Sequence, residues 1–290
     1  MYSSPPTENL QKVGKEGILR LNFEKRDHRT VLSEAFSKMP MQAFPPFYPD
    51  QTGCAYAYLV NPTGGLVGGD KIEIEIAIQE HAHAFVTTPS ATKIYRSLGP
   101  FASQEIRVVL KKQAIFEYIP QYIIPFAQSR YFQKIKIKME ENARALFLDF
   151  LTTGRLARGE HLQFDEYRSY TEIEYCGELI LTDRFSLKPL DTDYSSLGFL
   201  ESFSAAVVLY IIFDDPPLEV PLTNDLRQVI HGAENVVGGV SILPSKGVII
   251  RLLGNSTSHI EKTVFQIWSL ARKQILHLES CSPMARLVPS

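Results

Sequence analysis

The stretch Lys71-Ile72-Glu73-Ile74-Glu75-Ile76-Ala77-Ile78 limits the possible folds more than any other. Its isoleucines occupy every second position, and mostly charged residues stand between them. Period two belongs to the β-strand, because successive side chains leave opposite faces of the pleat. On a helix the same isoleucines would spread around the axis. The stretch therefore predicts a strand with one buried and one solvated face. Ile135 and Ile137 alternate with Lys134, Lys136 and Lys138 in the same manner.

Residues 106–110, 145–151, 173–176, 179–181, 207–213 and 248–253 also read as strands. Several are apolar on both faces, which predicts burial between layers. Only two segments carry helical spacing. Residues 223–234 form a short candidate capped by Thr223 or Asn224. Residues 259–276 place Ile260, Val264, Ile267, Trp268, Ala271 and Ile275 on one face, with Ser256 to Ser258 as caps. Strands do not alternate with helices, so a doubly wound sheet is not expected. No repeat of fixed period and no Pro/Gly/Ser linker is visible. The expectation is a mainly β single domain over residues 16–290, two late helices, and a loose tail at residues 1–15.

Composition closes off other classes. With 44% hydrophobic and 21% charged residues in 290, the chain is neither disordered nor a small disulfide scaffold. Thirty Lys+Arg against 32 Asp+Glu give no basic footprint for nucleic acid. Cys54, Cys176 and Cys281 are scattered, without a C-x-x-C pair, and thiols of this kind suit a reducing compartment. The N-terminus lacks the apolar core of a secretory signal, and the longest apolar run, 205–213, is too short to span a bilayer. A cytoplasmic protein is expected.

Four stretches carry residues capable of chemistry. Asn61-Pro-Thr-Gly-Gly-Leu-Val-Gly-Gly-Asp70 has glycines at 64, 65, 68 and 69. It lacks the G-K-[ST] ending of a phosphate loop, and a strand follows it instead of a helix, so a tight turn or bulge ranks first. Residues 87–97 are rich in hydroxyls and bases; they suit either an anion site or a loop of side-chain caps. Asp149 lies among Phe147, Leu148, Phe150 and Leu151, where an unpaired carboxylate is costly. Arg155 or Arg158 is the expected ion-pair partner, with a carboxylate metal stop as the alternative. His81 and His83 share one strand face, within reach of one metal, but a hairpin turn beside Gln79-Glu80 favours two exposed imidazoles. His28, His161, His231, His259 and His277 are isolated in sequence.

Taken together, Asn61 to Asp70, Thr-Thr-Pro-Ser-Ala-Thr-Lys-Ile-Tyr-Arg-Ser at 87–97, Pro-Gln-Tyr-Ile-Ile-Pro-Phe at 120–126 and Gly-Arg-Leu-Ala-Arg-Gly-Glu at 154–160 resemble the urease accessory protein UreD (UreH) family, in its order. Tyr58-Leu59, the strand Val248 to Gly254 and the Trp268 helix fit as well. The resemblance spans roughly residues 15 to 275. It implies a β-helical winding of mixed sheets with two helices near the C-terminus. It implies no catalysis. It implies a complex with UreF and the GTPase UreG on apo-urease, which delivers Ni2+ through an internal polar passage and holds no permanent cofactor. UreG performs the GTP hydrolysis, and a dimeric assembly through UreF is expected.

On this reading Asp149, Glu160, Thr87, Thr88 and Ser90 are candidates for transient nickel contacts. Gly64, Gly65, Gly68, Gly69, Asp70 and Arg155 are shape elements. Transit needs weak ligands, so a passage without clustered Cys and His suits a conduit better than a store. Two departures stand out: Asp149 where the family commonly has Glu, and Cys281 to Ser290 where the family often ends near Pro-Arg-Ile-Trp. Two rival readings remain. One is a β-helical glycosidase using Asp149, Glu160 and an Arg. The other is a β-rich scaffold that binds partners but no metal.

Overall fold

The computed structural model describes residues 14–279, except 98, 197 and 245. Most of the N-terminal tail and the divergent segment 281–290 therefore lie outside the described residues. Lys15 does not behave as tail: its backbone N–H donates to Asp70 Oδ1 at 2.7 Å.

Among the described residues, eighteen strands and two α-helices follow one another. The strands are β1 (Glu16–Arg26), β2 (Arg29–Lys38), β3 (Gln42–Ala43), β4 (Ala55–Val60), β5 (Gly65–Leu66), β6 (Lys71–Ile78), β7 (His83–Thr87), β8 (Thr92–Ile94) and β9 (Ala102–Leu110). There follow β10 (Ile115–Tyr118), β11 (Ile123–Pro125), β12 (Arg130–Met139), β13 (Arg144–Thr152), β14 (Glu166–Tyr175), β15 (Glu178–Leu187), β16 (Ala205–Ile212), β17 (Val236–Leu243) and β18 (Gly247–Gly254). Helix α1 (Pro216–His231) precedes β17, and α2 (Thr257–Ala271) continues into a π-helical turn, Arg272–Leu276. No helix among the described residues is long and apolar enough to cross a membrane.

The chain passes alternately between two sheets, as a β-solenoid does. One sheet runs β15-β14-β12-β9-β6-β1-β2, the other β17-β18-β16-β13-β10-β7-β4-β3. In the first, β1, β6, β9, β12 and β14 are parallel neighbours; in the second, β4, β7, β10 and β13 are. Antiparallel pairs, β1 with β2 and β14 with β15, close the first sheet at both edges. The expected winding is therefore present, built among the described residues without an intervening α-helix between β1 and β16.

The isoleucines of β6 point inward between the sheets, each 2% exposed or less, and Glu73 and Glu75 face solvent. Each buried isoleucine contributes about 1.5–3 kcal/mol relative to exposure. β13 is apolar on both faces because its sheet is covered twice. Ala145, Phe147 and Leu151 join the intersheet core. Leu146, Leu148 and Phe150 meet β16, β18 and both helices in a second core.

A turn does occur at Gln79 to His81, but it is a corner of the coil and not a hairpin. Its continuation, β7, lies in the other sheet. The same corner recurs as Gln79-Glu80-His81-Ala82, Lys111-Lys112-Gln113-Ala114 and Glu140-Glu141-Asn142-Ala143. Each third residue is left-handed, with φ of 59°, 57° and 59° in turn, and each alanine is fully buried. Corners are stitched together by His81 N–H to Lys112 O (3.2 Å), Gln113 N–H to Glu141 O (3.1 Å) and Ile115 N–H to Ala82 O (2.9 Å). A repeat thus exists, at unequal spacing, where none of fixed period was expected.

The helices differ from expectation at their starts. α1 begins at Pro216, not at residue 223. Prolines at the first two positions need no N–H there, since those donors are unpaired in any helix. Thr223 is inside the helix and donates back to Glu219 O at 2.7 Å, so it is no cap. α2 is capped as expected: Ser256 Oγ accepts from His259 N–H at 3.4 Å.

Candidate functional site

Strand register decides what faces the intersheet space. β12 sends Tyr131, Gln133, Ile135 and Ile137 inward, and β14 sends Tyr167, Ser169, Thr171 and Ile173. Toward one end of the solenoid the inward residues therefore change from aliphatic to oxygen-bearing. β13 adds Asp149 at that level.

Neither Arg155 nor Arg158 pairs with Asp149, contrary to expectation. Oδ2 accepts from Ser169 Oγ at 2.8 Å, and Oδ1 lies 3.5 Å from the Tyr167 hydroxyl. Its side chain projects inward, whereas Arg155 follows only after the chain has left the strand at Thr153-Gly154. There the guanidinium clamps Glu160: Nε donates to Oε2 at 2.7 Å and Nη2 to Oε1. Arg155 also stacks on Phe126, 3.9 Å from the ring centre. Arg158 is exposed.

Burial pushes the Asp149 carboxyl above its ordinary value, and nearby Asp183 adds to this; hydrogen bonds from Ser169, Gln133 and Tyr167 oppose it. Although protein encloses it, its surface is only partly covered, because two cavities open onto it. Burial and the Asp149 charge together raise the hydroxyls of Tyr118, Tyr131 and Tyr167. Arg155 holds Glu160 below the usual carboxylate range.

The first cavity, about 110 Å³, is lined by Asn61, Gly64, Gly65, Thr88, Ser90, Tyr118, Tyr131, Gln133 and Asp149 among others. Ser90 and Gly64 are exposed, so it runs from the surface loops inward. The second, about 40 Å³, is lined by Asp149, Tyr167, Ser169, Thr171, Asp183 and Tyr210, with apolar neighbours. A water needs some 10–15 Å³, so both cavities can hold water. Asp149 borders both. Beyond it, Asp183 accepts from Tyr210 Oη at 2.9 Å and from exposed Arg251 at 2.6 Å.

The other expected residues divide. Thr88 and Ser90 line the first cavity; Thr87 is not among its lining and donates its hydroxyl to Ile119 O at 2.6 Å. Glu160 lines neither cavity. Asp149 and Glu160 therefore share no cleft, as a glycosidase pair must. In the glycine stretch, Asp70 binds Val67 N–H at 2.9 Å as well as Lys15 N–H. A Cβ at Gly65 would stand 2.4 Å from Lys93 O, so glycine lets β5 approach β8. His81 is exposed at its corner, but His83 is buried and bonded to Glu117, against the expectation of two exposed histidines.

Sequence reading missed Gln133, Ser169, Thr171, Asp183 and the tyrosines. The signal was available: β12 and β14 carry polar residues in the inward register, where isoleucine stands elsewhere. The lining offers oxygen donors, which hold divalent cations by carboxylate, hydroxyl, amide and water contacts.

Fold and cavities define a β-solenoid with oxygen-bearing side chains at one end of a mainly apolar interior and a helical layer on one sheet. A family model described as UreD urease accessory protein matches residues 15–286. Urease accessory protein UreD of Acaryochloris marina (strain MBIC 11017) is 33% identical over 270 residues, covering 92% of this chain and 93% of the relative. That of Cenarchaeum symbiosum (strain A) is 28% identical over 268 residues, covering 91% and 94%. This chain belongs to the UreD urease accessory protein family.

Proposed function

We propose that this protein is a non-catalytic urease maturation factor. In this reading it joins UreF and the GTPase UreG on apo-urease in the cytoplasm, where it passes Ni2+ through its interior toward the urease active site. Family membership supports the maturation role. One observation carries the passage: Asp149 borders two cavities, one reaching the Ser90 loop and the other reaching Asp183.

Oxygen ligands bind a late first-row dication more weakly than imidazole or thiolate does, and a cation in transit must be released at each station. Asp149 serves as the anionic station between the cavities, with Gln133, Ser169 and the tyrosine hydroxyls replacing part of the hydration shell. Asp183 serves as the next station, where Arg251 competes with the cation for the carboxylate. Thr88 and Ser90 provide the first oxygens at the mouth. Nickel is cargo here, and nothing in the lining need hold it permanently.

The test is co-expression of this chain with apo-urease, UreF, UreG and nickel. Wild type is expected to yield active urease with full nickel occupancy. Asp149→Ala is expected to lower both while still co-purifying with UreF. Wild-type activation by Asp149→Ala would remove the passage; no activation by any variant, wild type included, would remove the maturation role.

A further inference from the structure

On the outer face of the second sheet, beneath α2, lies a polar cluster separate from the cavities. Cys54 immediately precedes β4, His83 opens β7 and Glu117 lies in β10, three adjacent parallel strands. Their sulfur, imidazole nitrogen and carboxylate oxygen all lie within 4.8 Å of one another, and all three residues are buried. We propose that Cys54, His83 and Glu117 form a binding site for a borderline transition-metal dication of the zinc, cobalt or nickel class.

Thiolate, imidazole and carboxylate are the donors that such ions take in four-coordinate sites, leaving a position for water or a neighbouring hydroxyl. The carboxylate is aimed. Trp268 Nε1–H donates to Oε2 at 2.6 Å, leaving Oε1 toward His83 Nε2, also 2.6 Å away. Hydrogen bonds of this kind orient ligands and tune affinity.

Charge favours a dication. Arg272 Nε lies 3.6 Å from Glu117 Oε1, and its Nη1 donates to Tyr56 Oη at 3.0 Å; Tyr56 in turn donates to Asp50 Oδ2 at 3.3 Å. A dication bound by a Cys54 thiolate carries one net positive charge, placed beside the buried Glu117 carboxylate that attracts it. The thiol proton leaves to solvent, and the ring proton between Nε2 and Oε1 moves to Nδ1, so that the metal takes the shared place. Arg272 also begins the π-helical turn, a local geometry frequent at functional sites. The site faces the helices while the cavities lie on the opposite face of the sheet, so it stands apart from the nickel passage.

Cobalt(II) titration of the full chain tests it, in a background of Cys176→Ser and Cys281→Ser. A stoichiometric sulfur-to-cobalt charge-transfer absorption is expected. It should vanish in the added Cys54→Ser variant and persist in Asp149→Ala. Trp268→Phe should weaken cobalt affinity by about 10–100-fold. In the unsubstituted chain, at a urea concentration that opens Cys54 to alkylation in the metal-free protein, zinc should protect the Cys54 peptide while exposed Cys176 stays reactive, a readout that needs no variant to fold. No charge-transfer band in the background protein, a band that survives Cys54→Ser, or equal alkylation of Cys54 with and without zinc would each overturn the site.

Discussion

Asp149 shows what an inward-facing carboxylate costs at the residue scale. Burial raises its proton affinity in the folded chain. Between the ordinary carboxylate value and the raised one, the folded state holds a proton that the unfolded state has lost. Folding stability therefore falls as pH rises through that window and stays lower above it. Asp149→Asn removes this penalty. Denaturant unfolding should find the variant more stable than wild type at pH 7 and equal to it below the ordinary carboxylate value, while urease activation falls. A variant less stable at neutral pH would mean that the carboxylate earns its place structurally. Glu160 has the opposite sign. Arg155 holds its pKa down, so its contribution is present above the ordinary carboxylate value and is lost as pH falls through the folded one. Glu160→Ala should destabilise at pH 7, lose that effect in acid, and leave urease activation per folded molecule unchanged. Sequence alone marked Asp149 as unusual but gave it the wrong partner, and Glu160 became a candidate only through the family resemblance. Which way a side chain leaves its strand depends on register, and register was legible only where isoleucines alternate without interruption.

The corners are the informative elements. Each carries a non-glycine residue at positive φ followed by a buried alanine, and each passes hydrogen bonds to its neighbour. A left-handed residue with a Cβ costs about 1–2 kcal/mol, and glycine gives back about 0.5–1 of that through backbone entropy. Gln113→Gly should therefore stabilise the protein by about 0.5–1 kcal/mol. Ala114→Val pushes a larger side chain into a fully buried corner and should cost about 1–3 kcal/mol. Chemical denaturation of both variants checks the pair, and a destabilising Gln113→Gly would show that the glutamine side chain, not the backbone, matters there. Strands with clean alternation were legible in the sequence. The corner repeat was not, because only its alanine is constant while the left-handed position is His, Gln or Asn. The start of α1 was hidden for a different reason. Pro216, Pro217 and Pro221 read as breakers, although the first two occupy positions where a helix tolerates them.

At the scale of the whole molecule, one sheet serves two cores. The inward residues of β4, β7, β10 and β13 belong to the intersheet core, and their outward residues to the core shared with α1 and α2. The family winding came from ordered motifs, whereas this double use came from the strands that are apolar on both faces. It has a mechanical consequence. Trp268, fully buried in α2, reaches across to Glu117 in β10, and Arg144 from β13 donates to Ile275 O at 2.6 Å. The helical layer cannot leave without exposing the outer face of the solenoid and leaving Glu117 without its indole donor, a loss of about 1–3 kcal/mol for a buried group. Helices and solenoid should therefore unfold together. Trp268 is the sole tryptophan, so its fluorescence reports the seating of the helical layer on the sheet, and far-ultraviolet circular dichroism is dominated by the strands. In urea the two curves are expected to coincide in midpoint and slope. An earlier fluorescence transition would make the helical layer an independent unit, and the Cys54, His83 and Glu117 cluster would then be uncovered before the solenoid opens. Coincident curves mean that a metal reaching that cluster enters by local opening at the π-helical turn, or during folding.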